Sequence, residues 1–333
     1  MIVRSFSFGM MVVCLSVSFP VLSEETIFLR DRSAVTDFAP ADKADAPSTE
    51  LGFDYKPDQS FPQLPANMKM GPVSGVGADS QGRVIVLQRA MPPILVFEAS
   101  GEFVTSFGSD VITGGHGLSV DEDDNIWVAD TVRHVVVQFS PQGKLLKILG
   151  QLDHAGDDVD QFDQPTYVVC GPKGHLYVMD GYGNARIVRY RDGGKHPEVW
   201  GKLGNGPLEF KAPHSGVIDL EGRLLVCDRD NNRIQILHAQ SGELLETWTG
   251  YTPFGIAIDR KGTVFIADEM TESVLQLDAQ GKVVRVWGDE TFNSKERLST
   301  AHLITADRDD NLYTAHLGAK RIQKLQREEI KTR

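Results

Sequence analysis

The sequence predicts an all-β protein, a six-bladed β-propeller whose ring is closed by an N-terminal strand. Three observations predict this fold: a strand–turn–strand pattern recurs six times, the turns share one chemistry, and the last copy lacks a fourth strand. Four-stranded units that recur every ~40–50 residues are typical of propeller blades. A β-sandwich would not repeat its turn chemistry so regularly.

Each copy opens with two alternating strands joined by a turn rich in Asp and Gly. Aspartate hydrogen-bonds its own backbone and glycine tolerates positive φ, so both residue types favour tight turns. The six copies read GVGADSQGRVIVLQ, GLSVDEDDNIWVAD, YVVCGPKGHLYVMD, SGVIDLEGRLLVCD, GIAIDRKGTVFIAD and LITADRDDNLYTAH. In five of them the turn opens on an aspartate: Asp79, Asp121, Asp219, Asp259 and Asp307.

Two further strands complete most copies. The third reads HVVVQFS, ARIVRYR, RIQILHA or SVLQLDA, and the fourth reads VTSFG, EVWG, ETWTG or VRVWG. The sixth copy ends at RIQKLQREEIKTR without a fourth strand, which would leave an unpaired edge. We therefore expect the segment LGFDYKPD, ahead of the first blade, to supply the missing outer strand. The propeller is predicted over residues 51–328.

The N-terminus is predicted to be a secretory signal peptide over residues 1–23. Arg4 precedes a short apolar stretch that ends near Ser23, and acidic residues follow. Residues 24–50, which include DKADAPSTE, are predicted to be a flexible leader. The mature chain is then secreted or periplasmic, and it has no second apolar stretch of about 18 residues that would predict a membrane span.

Composition narrows the classes of partner. The net charge is −12 and no basic cluster stands out, which argues against nucleic acid, because phosphate neutralisation needs Lys and Arg on one face. Cys170 and Cys227 are too few for a disulfide scaffold and lack metal-site spacing. One bridge between them in an oxidising compartment and two buried thiols are both open.

Histidine recurs at one position of the repeat. The first strand of a blade lines the central channel, and alternate blades of six are related by a third of a turn. Fourteen residues before the end of each second strand stand, in copy order, Ser74, His116, Thr166, His214, Phe254 and His302. His116, His214 and His302 are therefore expected to converge, as in a catalytic His₃ zinc site with an open fourth position.

The rim beside these histidines carries further candidate residues. Arg89 and Arg229 directly follow the second strands of opposite copies, and Tyr182 lies one residue further along in copy three. Arginine binds carboxylates bidentately, so the pair predicts a pocket for an anionic substrate. A tyrosine close to a cation is a candidate general base. The remaining histidines lack this regularity and are interpreted as turn or surface residues: His134, His154, His175, His196, His238 and His316.

These motifs carry a family resemblance. The segments HGLSVDEDDNIWVADTVRHVVVQF, FDQPTYVV, DGYGNARIV, APHSG and DRDNNRIQ resemble peptidyl-α-hydroxyglycine α-amidating lyase, the lyase domain of the peptide-amidating enzyme. The resemblance lies within the broader class of NHL-repeat propellers and covers about residues 70–326. The NHL repeats alone say little about function, whereas the site pattern is more specific.

The resemblance implies a role for each candidate residue. It implies Zn²⁺ as the cofactor, with His116, His214 and His302 as its ligands. It implies that Tyr182 is the catalytic base. The two active-site arginines of the family match Arg89 and Arg229.

A structural calcium ion is also implied by the family. Val76 and Leu118 fall where the family offers backbone carbonyls to Ca²⁺. The family has an Asp calcium ligand at the position of Leu303, and leucine offers no side-chain oxygen, which argues against a calcium site of that type. The family also has a Met two residues before its third histidine. This residue is Thr300 here, and the replacement is expected to alter the wall of the pocket.

The leading hypothesis is a zinc-dependent carbon–nitrogen lyase of the peptidylamidoglycolate lyase type. It would cleave peptidyl-α-hydroxyglycine-type carbinolamides to a primary amide and glyoxylate, with Zn²⁺ polarising the α-hydroxyl and an arginine holding the substrate carboxylate. One alternative is a non-catalytic NHL-repeat propeller that binds a ligand or protein partner on its channel face. Another is a propeller hydrolase such as a sugar lactonase. By family analogy, lactonase sites have carboxylates and Asn around calcium, whereas the equivalent rim positions here are His, Arg and Tyr.

Overall fold

Six four-stranded antiparallel sheets follow one another along the computed structural model, which describes residues 53–288 and 301–330. The protein is an all-β, six-bladed propeller, and the fold predicted from the repeats is confirmed. Residues 1–52 and Thr300 lie outside the described residues. The signal peptide, the leader and the pocket role of Thr300 therefore stay predictions.

Each blade runs from an inner strand at the channel to an outer strand, and the sixth blade takes its outer strand from the start of the described chain. Ahead of and within blades one to three the strands are β1 (Phe53–Asp58), β2 (Val73–Ala78), β3 (Val84–Gln88), β4 (Ile94–Phe97), β5 (Phe103–Phe107), β6 (Gly115–Val120), β7 (Ile126–Asp130), β8 (Val135–Phe139), β9 (Leu145–Leu149), β10 (Tyr167–Cys170), β11 (Leu176–Asp180), β12 (Arg186–Arg191) and β13 (Lys195–Trp200). After a short parallel pair, blades four to six follow: β14 (Lys202–Leu203), β15 (Glu209–Phe210), β16 (Pro213–Ile218), β17 (Arg223–Asp228), β18 (Arg233–His238), β19 (Leu244–Thr249), β20 (Pro253–Ile258), β21 (Val264–Asp268), β22 (Ser273–Leu277), β23 (Val283–Trp287), β24 (Ala301–Ala306), β25 (Leu312–His316) and β26 (Arg321–Glu329).

The inner strands close a ring around the channel. Each packs against the inner strands of both neighbouring blades, in the order β2, β6, β10, β16, β20, β24 and back to β2. Six buried apolar clusters lie between the blades, and each draws its side chains from two adjacent blades. The core is thus distributed evenly around the axis, and burial of each cluster holds neighbouring inner strands at a fixed separation.

The sixth blade pairs the first described strand with the last. Strand β1 lies antiparallel to β26, with Phe53 opposite Glu329 and Asp58 opposite Lys324. The sheet order is β1, β26, β25, β24, so β1 is the outer strand of this blade. The pairing covers the edge that β26 would otherwise expose.

The aspartates that open the β-turns act as the turn chemistry predicts. Asp79 Oδ1 accepts the backbone N–H groups of Gln81 and Arg83, at 3.0 and 2.8 Å. The same pair of hydrogen bonds recurs at the other four aspartates, Asp121, Asp219, Asp259 and Asp307.

A second set of aspartates holds the loops at the other end of the channel. These residues end the second strands of blades two to five and are buried, and a buried carboxylate needs hydrogen-bond donors. Each accepts a backbone N–H from the loop that leads into the inner strand of its own blade. The acceptors are Asp130, Asp180, Asp228 and Asp268, and the donors are Thr113, Asp163, Lys211 and Thr252. These contacts fix the entrance of each inner strand, where the candidate site lies.

His316 occupies the equivalent position in blade six, and its interpretation as a turn or surface residue is wrong. It ends β25, its side chain is fully buried, and its Nε2 lies 2.9 Å from the Thr314 hydroxyl oxygen. The physical reason is its place in the repeat, because the residue that ends the second strand is buried in all six blades.

Cys170 and Cys227 are free thiols, so of the two open alternatives the disulfide is not formed. Cys227 is fully buried, and burial raises its pKa to about 12. A thiol that stays protonated in an apolar environment is a poor nucleophile. Among the described residues, no helix has the length and apolar character needed to cross a membrane.

Replacing Tyr55 tests the role of β1. The Tyr55 ring is buried against Phe265 and Trp287, and its hydroxyl donates to the Asp310 carbonyl at 2.9 Å. Tyr55→Ala should lower the free energy of unfolding by about 3–5 kcal/mol, as large-to-small aromatic substitutions do. Lys56→Ala, at an exposed position of the same strand, should change it by less than about 1 kcal/mol. Equal urea midpoints for the two variants would show that β1 does not pack on the propeller in solution.

Candidate active site

The three histidines lie at equivalent places in their blades. His116, His214 and His302 are each the second residue of an inner strand, in β6, β16 and β24. In each blade the register of pairing with the second strand shifts at that residue. Such an irregularity is a β-bulge, which re-aims a side chain. The bulges turn the three imidazoles into the channel.

The imidazoles converge on one point. Their ring centroids are 4.6 Å apart for His116 and His302, 4.8 Å for His116 and His214, and 4.9 Å for His214 and His302. One nitrogen from each ring lies within 4.8 Å of the other two. Over residues 53–288 and 301–330, no other group of three or more His, Cys, Asp or Glu residues has a geometry suited to a metal ion.

Hydrogen bonds to the backbone fix which nitrogen of each ring faces that point. The Nδ1 atoms of His116, His214 and His302 lie 2.8, 2.6 and 2.6 Å from the carbonyl oxygens of Thr166, Phe254 and Ser74. A carbonyl oxygen only accepts, so each Nδ1 carries the proton and each Nε2 keeps its lone pair. Metal-binding histidines are oriented in this way in proteins.

The site keeps the imidazoles neutral. Burial is the main cause that holds the pKa of His116 well below its usual range, and the nearby Arg89 charge adds to it. Burial, followed by Arg229, does the same for the pKa of His214. Burial and Arg89 lower the pKa of His302 to about 3. Neutral imidazole is the form that binds a metal ion.

One ligand atom has no partner among the described residues. Nε2 of His214 is buried and makes no hydrogen bond, although a buried polar atom without a partner costs about 1–3 kcal/mol. A cation at the centre of the three rings would satisfy it. The donor set, three neutral imidazoles with fixed tautomers, fits a divalent transition metal such as Zn²⁺.

Tyr182 and Arg229 form a hydrogen-bonded chain with His116. The Tyr182 hydroxyl lies 2.8 Å from Nε2 of His116, and it accepts an N–H from Nη1 of Arg229 at 3.0 Å. Since the histidine nitrogen accepts, the tyrosine proton points toward it. The Arg229 guanidinium lies 5.2 Å from the Tyr182 ring centroid and 5.0 Å from that of Phe254, while its Nε donates to Asp230 at 2.8 Å. Stacking and the ion pair together hold this arginine in place.

Arg89 approaches the same centre from the opposite blade. It follows β3 directly and is half-buried, and its backbone N–H donates to the Pro72 carbonyl at 2.8 Å. Burial lowers its pKa, and its charge acts on His116 and His302. The structure therefore groups both predicted arginines and Tyr182 around the three histidines.

The residues expected at a calcium site are found in apolar surroundings. Val76 lies in β2 and packs in one buried cluster with Leu303, and Leu118 lies in β6 in the neighbouring cluster. The side chains of all three are buried. Calcium binding through the Val76 and Leu118 carbonyls stays a prediction.

Two contributors to the site were not identified from the sequence. Phe254 stands in the same repeat position as the three histidines, and this shared position could have predicted that its ring lines the site. Asp230 directly follows Arg229, but adjacency gave no sign that it would pair with the Arg229 side chain. Such pairing depends on the short 3₁₀ turn over Arg229–Asn231.

Comparison with known proteins places this architecture in a family. The chain is 30% identical to human NHL repeat-containing protein 3 over 292 residues, an alignment that covers 81% of this chain and 83% of the relative. The chain belongs to the NHL repeat-containing protein family. No protein-family model matches this NHL repeat-containing protein.

More distant relatives include amidating lyases. This NHL repeat-containing protein is 24% identical over 294 residues to the "Probable peptidyl-alpha-hydroxyglycine alpha-amidating lyase" of Caenorhabditis elegans, covering 77% of this chain and 83% of the relative. It is 27% identical over 303 residues to peptidyl-glycine alpha-amidating monooxygenase B of Xenopus laevis, covering 78% of this chain and 34% of that longer protein. The family resemblance seen in the motifs is thus supported at the level of distant relatives.

Among solved structures, the chain is similar to streptogramin B lyase. The TM-score is 0.60 at 16% identity, over 83% of this chain and 98% of that one. At this identity the likeness shows the shared fold alone.

Metal content gives the first test of the site. The purified NHL repeat-containing protein should bind one Zn²⁺ per chain, and metal at 100 times its Kd should stabilise the fold by about 2.7 kcal/mol. His214→Ala should abolish both effects, because it removes one of three ligands. His238→Ala removes an exposed histidine at the end of β18 and should leave them unchanged. Zinc retained in full by His214→Ala would exclude the three-histidine site.

Proposed function

We propose that this protein is a secreted or periplasmic zinc-dependent lyase that cleaves peptidyl-α-hydroxyglycine-type carbinolamides to a primary amide and glyoxylate. The observation that carries the proposal is the convergence of three neutral imidazoles on one point beside Tyr182 and Arg229. Amidating lyases among the relatives support the same reaction class.

The metal would be held by Nε2 of His116, His214 and His302, and Nε2 of His116 would give up its hydrogen bond from Tyr182 to bind the ion. Their Nδ1 atoms are already committed to backbone carbonyls, so the rings cannot present the other nitrogen without losing those bonds. When bound, the ion would supply Lewis-acid polarisation of the substrate hydroxyl.

Tyr182 would move the proton. In a carbinolamide, removal of the hydroxyl proton lets the carbon–oxygen double bond form as the carbon–nitrogen bond breaks. The Tyr182 oxygen would accept that proton while its own phenolic proton passes to the departing amide nitrogen, so Tyr182 ends with one proton, as it began, and no net proton is consumed. Arg229 donates to the same oxygen at 3.0 Å and would stabilise negative charge there during the transfer.

The arginines would divide two tasks. The Nε–H group of Arg229 donates to Asp230 and an Nη1–H group donates to Tyr182, so two of its donors are engaged within the protein. We assign the substrate carboxylate to Arg89 because its guanidinium is half-buried on the opposite blade and its charge acts on His116 and His302 at the same centre. Desolvation of that guanidinium would be offset by a bound carboxylate, as a charge-assisted pair requires.

A second candidate function is a non-catalytic propeller that binds a ligand or protein partner on its channel face. The relation to NHL repeat-containing protein 3 favours it, since that name states the repeat and no reaction. Glyoxylate release from α-hydroxyhippurate by the zinc-loaded protein distinguishes the two functions. Absence of release at saturating substrate would favour the binding function.

Removing the hydroxyl oxygen of Tyr182 tests the proposed proton transfer. Tyr182→Phe should lower kcat for glyoxylate release by roughly 10²- to 10⁴-fold, the range of general acid–base contributions, with little change in KM. Tyr190→Phe alters a buried tyrosine in the cluster between blades two and three and should leave kcat unchanged. Unchanged turnover in Tyr182→Phe would rule out its role as base.

Replacing Arg89 tests how the substrate carboxylate is bound. Arg89→Gln should raise KM by about 10- to 100-fold, because a hydrogen bond between charged groups contributes ~1.5–3 kcal/mol. Arg133→Gln is the control, since Arg133 pairs with Asp153 on another blade. If steady-state kinetics give Arg89→Gln the KM of the wild type, Arg89 does not hold the substrate carboxylate.

A further inference from the structure

Hydrogen bonds from one repeat position link the blades around the channel. The position is the one that carries the three histidines. In five of the six blades, its side chain donates to a backbone carbonyl of the next blade, with blade one following blade six. The accepting carbonyl belongs to the equivalent residue of that blade or to the residue before it. The five links are Ser74 to Gly115, His116 to Thr166, Thr166 to Pro213, His214 to Phe254 and His302 to Ser74. We name this set the channel belt.

Ser74 stands between two of the histidines. Its backbone carbonyl accepts the Nδ1 proton of His302 at 2.6 Å. Its hydroxyl donates to the Gly115 carbonyl at 2.7 Å, and Gly115 directly precedes His116. One residue therefore orients one imidazole and fixes the strand that carries a second.

Thr166 repeats this arrangement two blades further on. Its carbonyl accepts Nδ1 of His116 at 2.8 Å, and its hydroxyl lies 2.7 Å from the carbonyl of Pro213, the residue before His214. The hydroxyl also lies 3.1 Å from the Met179 carbonyl of its own blade, so the shorter contact is the one between blades. Both Ser74 and Thr166 are fully buried.

Glycine at two adjoining positions allows the blades to approach closely enough for these bonds. A Cβ on Gly117, next to His116, would lie 2.3 Å from the Thr166 carbonyl oxygen. A Cβ on Gly181 would lie 2.2 Å from the Pro213 carbonyl oxygen and 2.7 Å from the Thr166 hydroxyl. The belt is therefore built into the closest contacts of the inner ring.

The belt is interrupted at blade five. Phe254 has no hydroxyl or ring N–H to donate to blade six, and its ring lies 5.1 Å from the centroid of His214 and 6.0 Å from that of His302. At this position the chain places a pocket wall beside Arg229 instead of a sixth link. Ser74 and Thr166 are thus the belt hydroxyls that join the three histidine blades.

We propose that Ser74 and Thr166 are positioning residues that set the spacing of the three imidazoles and thereby the affinity of the site for a divalent cation. The inference rests on the proposed metal site. Neither residue touches the cation or the substrate; each acts through the histidines that it orients. Replacing such outer contacts in metal sites costs roughly 10- to 100-fold in affinity.

The test measures the binding of Zn²⁺, by competition with a chelating dye, and the visible absorption of the Co²⁺-loaded protein. Ser74→Ala and Thr166→Val remove the hydroxyls, and both should weaken Zn²⁺ binding by about 10- to 100-fold and alter the Co²⁺ spectrum. Ser74→Thr and Thr166→Ser keep a hydroxyl and should restore both. Ser273→Ala is the matched control, because the Ser273 hydroxyl is buried and donates to the Thr271 carbonyl at 2.9 Å, away from the belt.

Thermal unfolding of the metal-free variants separates positioning from a general structural role. If Ser74→Ala and Thr166→Val lower the melting temperature as Ser273→Ala does while Zn²⁺ affinity and the Co²⁺ spectrum stay at wild type, the inference is overturned. If the wild type itself binds neither ion, the proposed metal site fails and the inference falls with it. Should Thr166→Val not fold, Ser74→Ala with its Ser74→Thr rescue decides the question alone.

Discussion

The donation of each Nδ1 proton to a carbonyl of the next blade is the interaction on which the chemistry of this protein depends. It fixes the tautomer of His116, His214 and His302 and turns each Nε2 toward the axis. The acceptors are backbone atoms, so the orientation of the rings depends on how closely adjacent blades pack. The propeller is therefore part of the site, and closing its ring sets the distances between the ligands.

The same architecture explains the electrostatics of the pocket. Burial at the channel centre keeps the imidazoles neutral, and the nearby charges of Arg89 and Arg229 add to that effect. A positively charged rim beside neutral nitrogens suits a cation held by nitrogen ligands together with an anionic substrate. Tyr182 lies where the two meet, between His116 and Arg229.

The repeat made much of this arrangement predictable from the sequence. Six copies of one strand–turn–strand pattern give the number of blades, and a constant offset from the end of the second strand places His116, His214 and His302 on one ring. The β-bulge at each of these residues was not predictable, because it depends on pairing with the second strand. The burial of His316 was missed because regularity was sought among histidines, whereas its position is shared with buried aspartates.

The side-chain contacts of the rim were equally beyond sequence reasoning. Arg229 was expected to face an anionic ligand, but its guanidinium stacks beside Phe254 and is bonded to Asp230 and Tyr182. These contacts join residues of three blades, and no local pattern encodes them. As a result, two donors of Arg229 are engaged within the protein.

X-ray absorption at the zinc edge of the metal-loaded protein tests whether the three imidazoles bind the ion. Three imidazole nitrogens are expected at about 2.0–2.1 Å from the zinc, with the remaining position taken by a light oxygen or nitrogen ligand. A first shell containing sulfur, or one without imidazole scattering, would contradict this expectation.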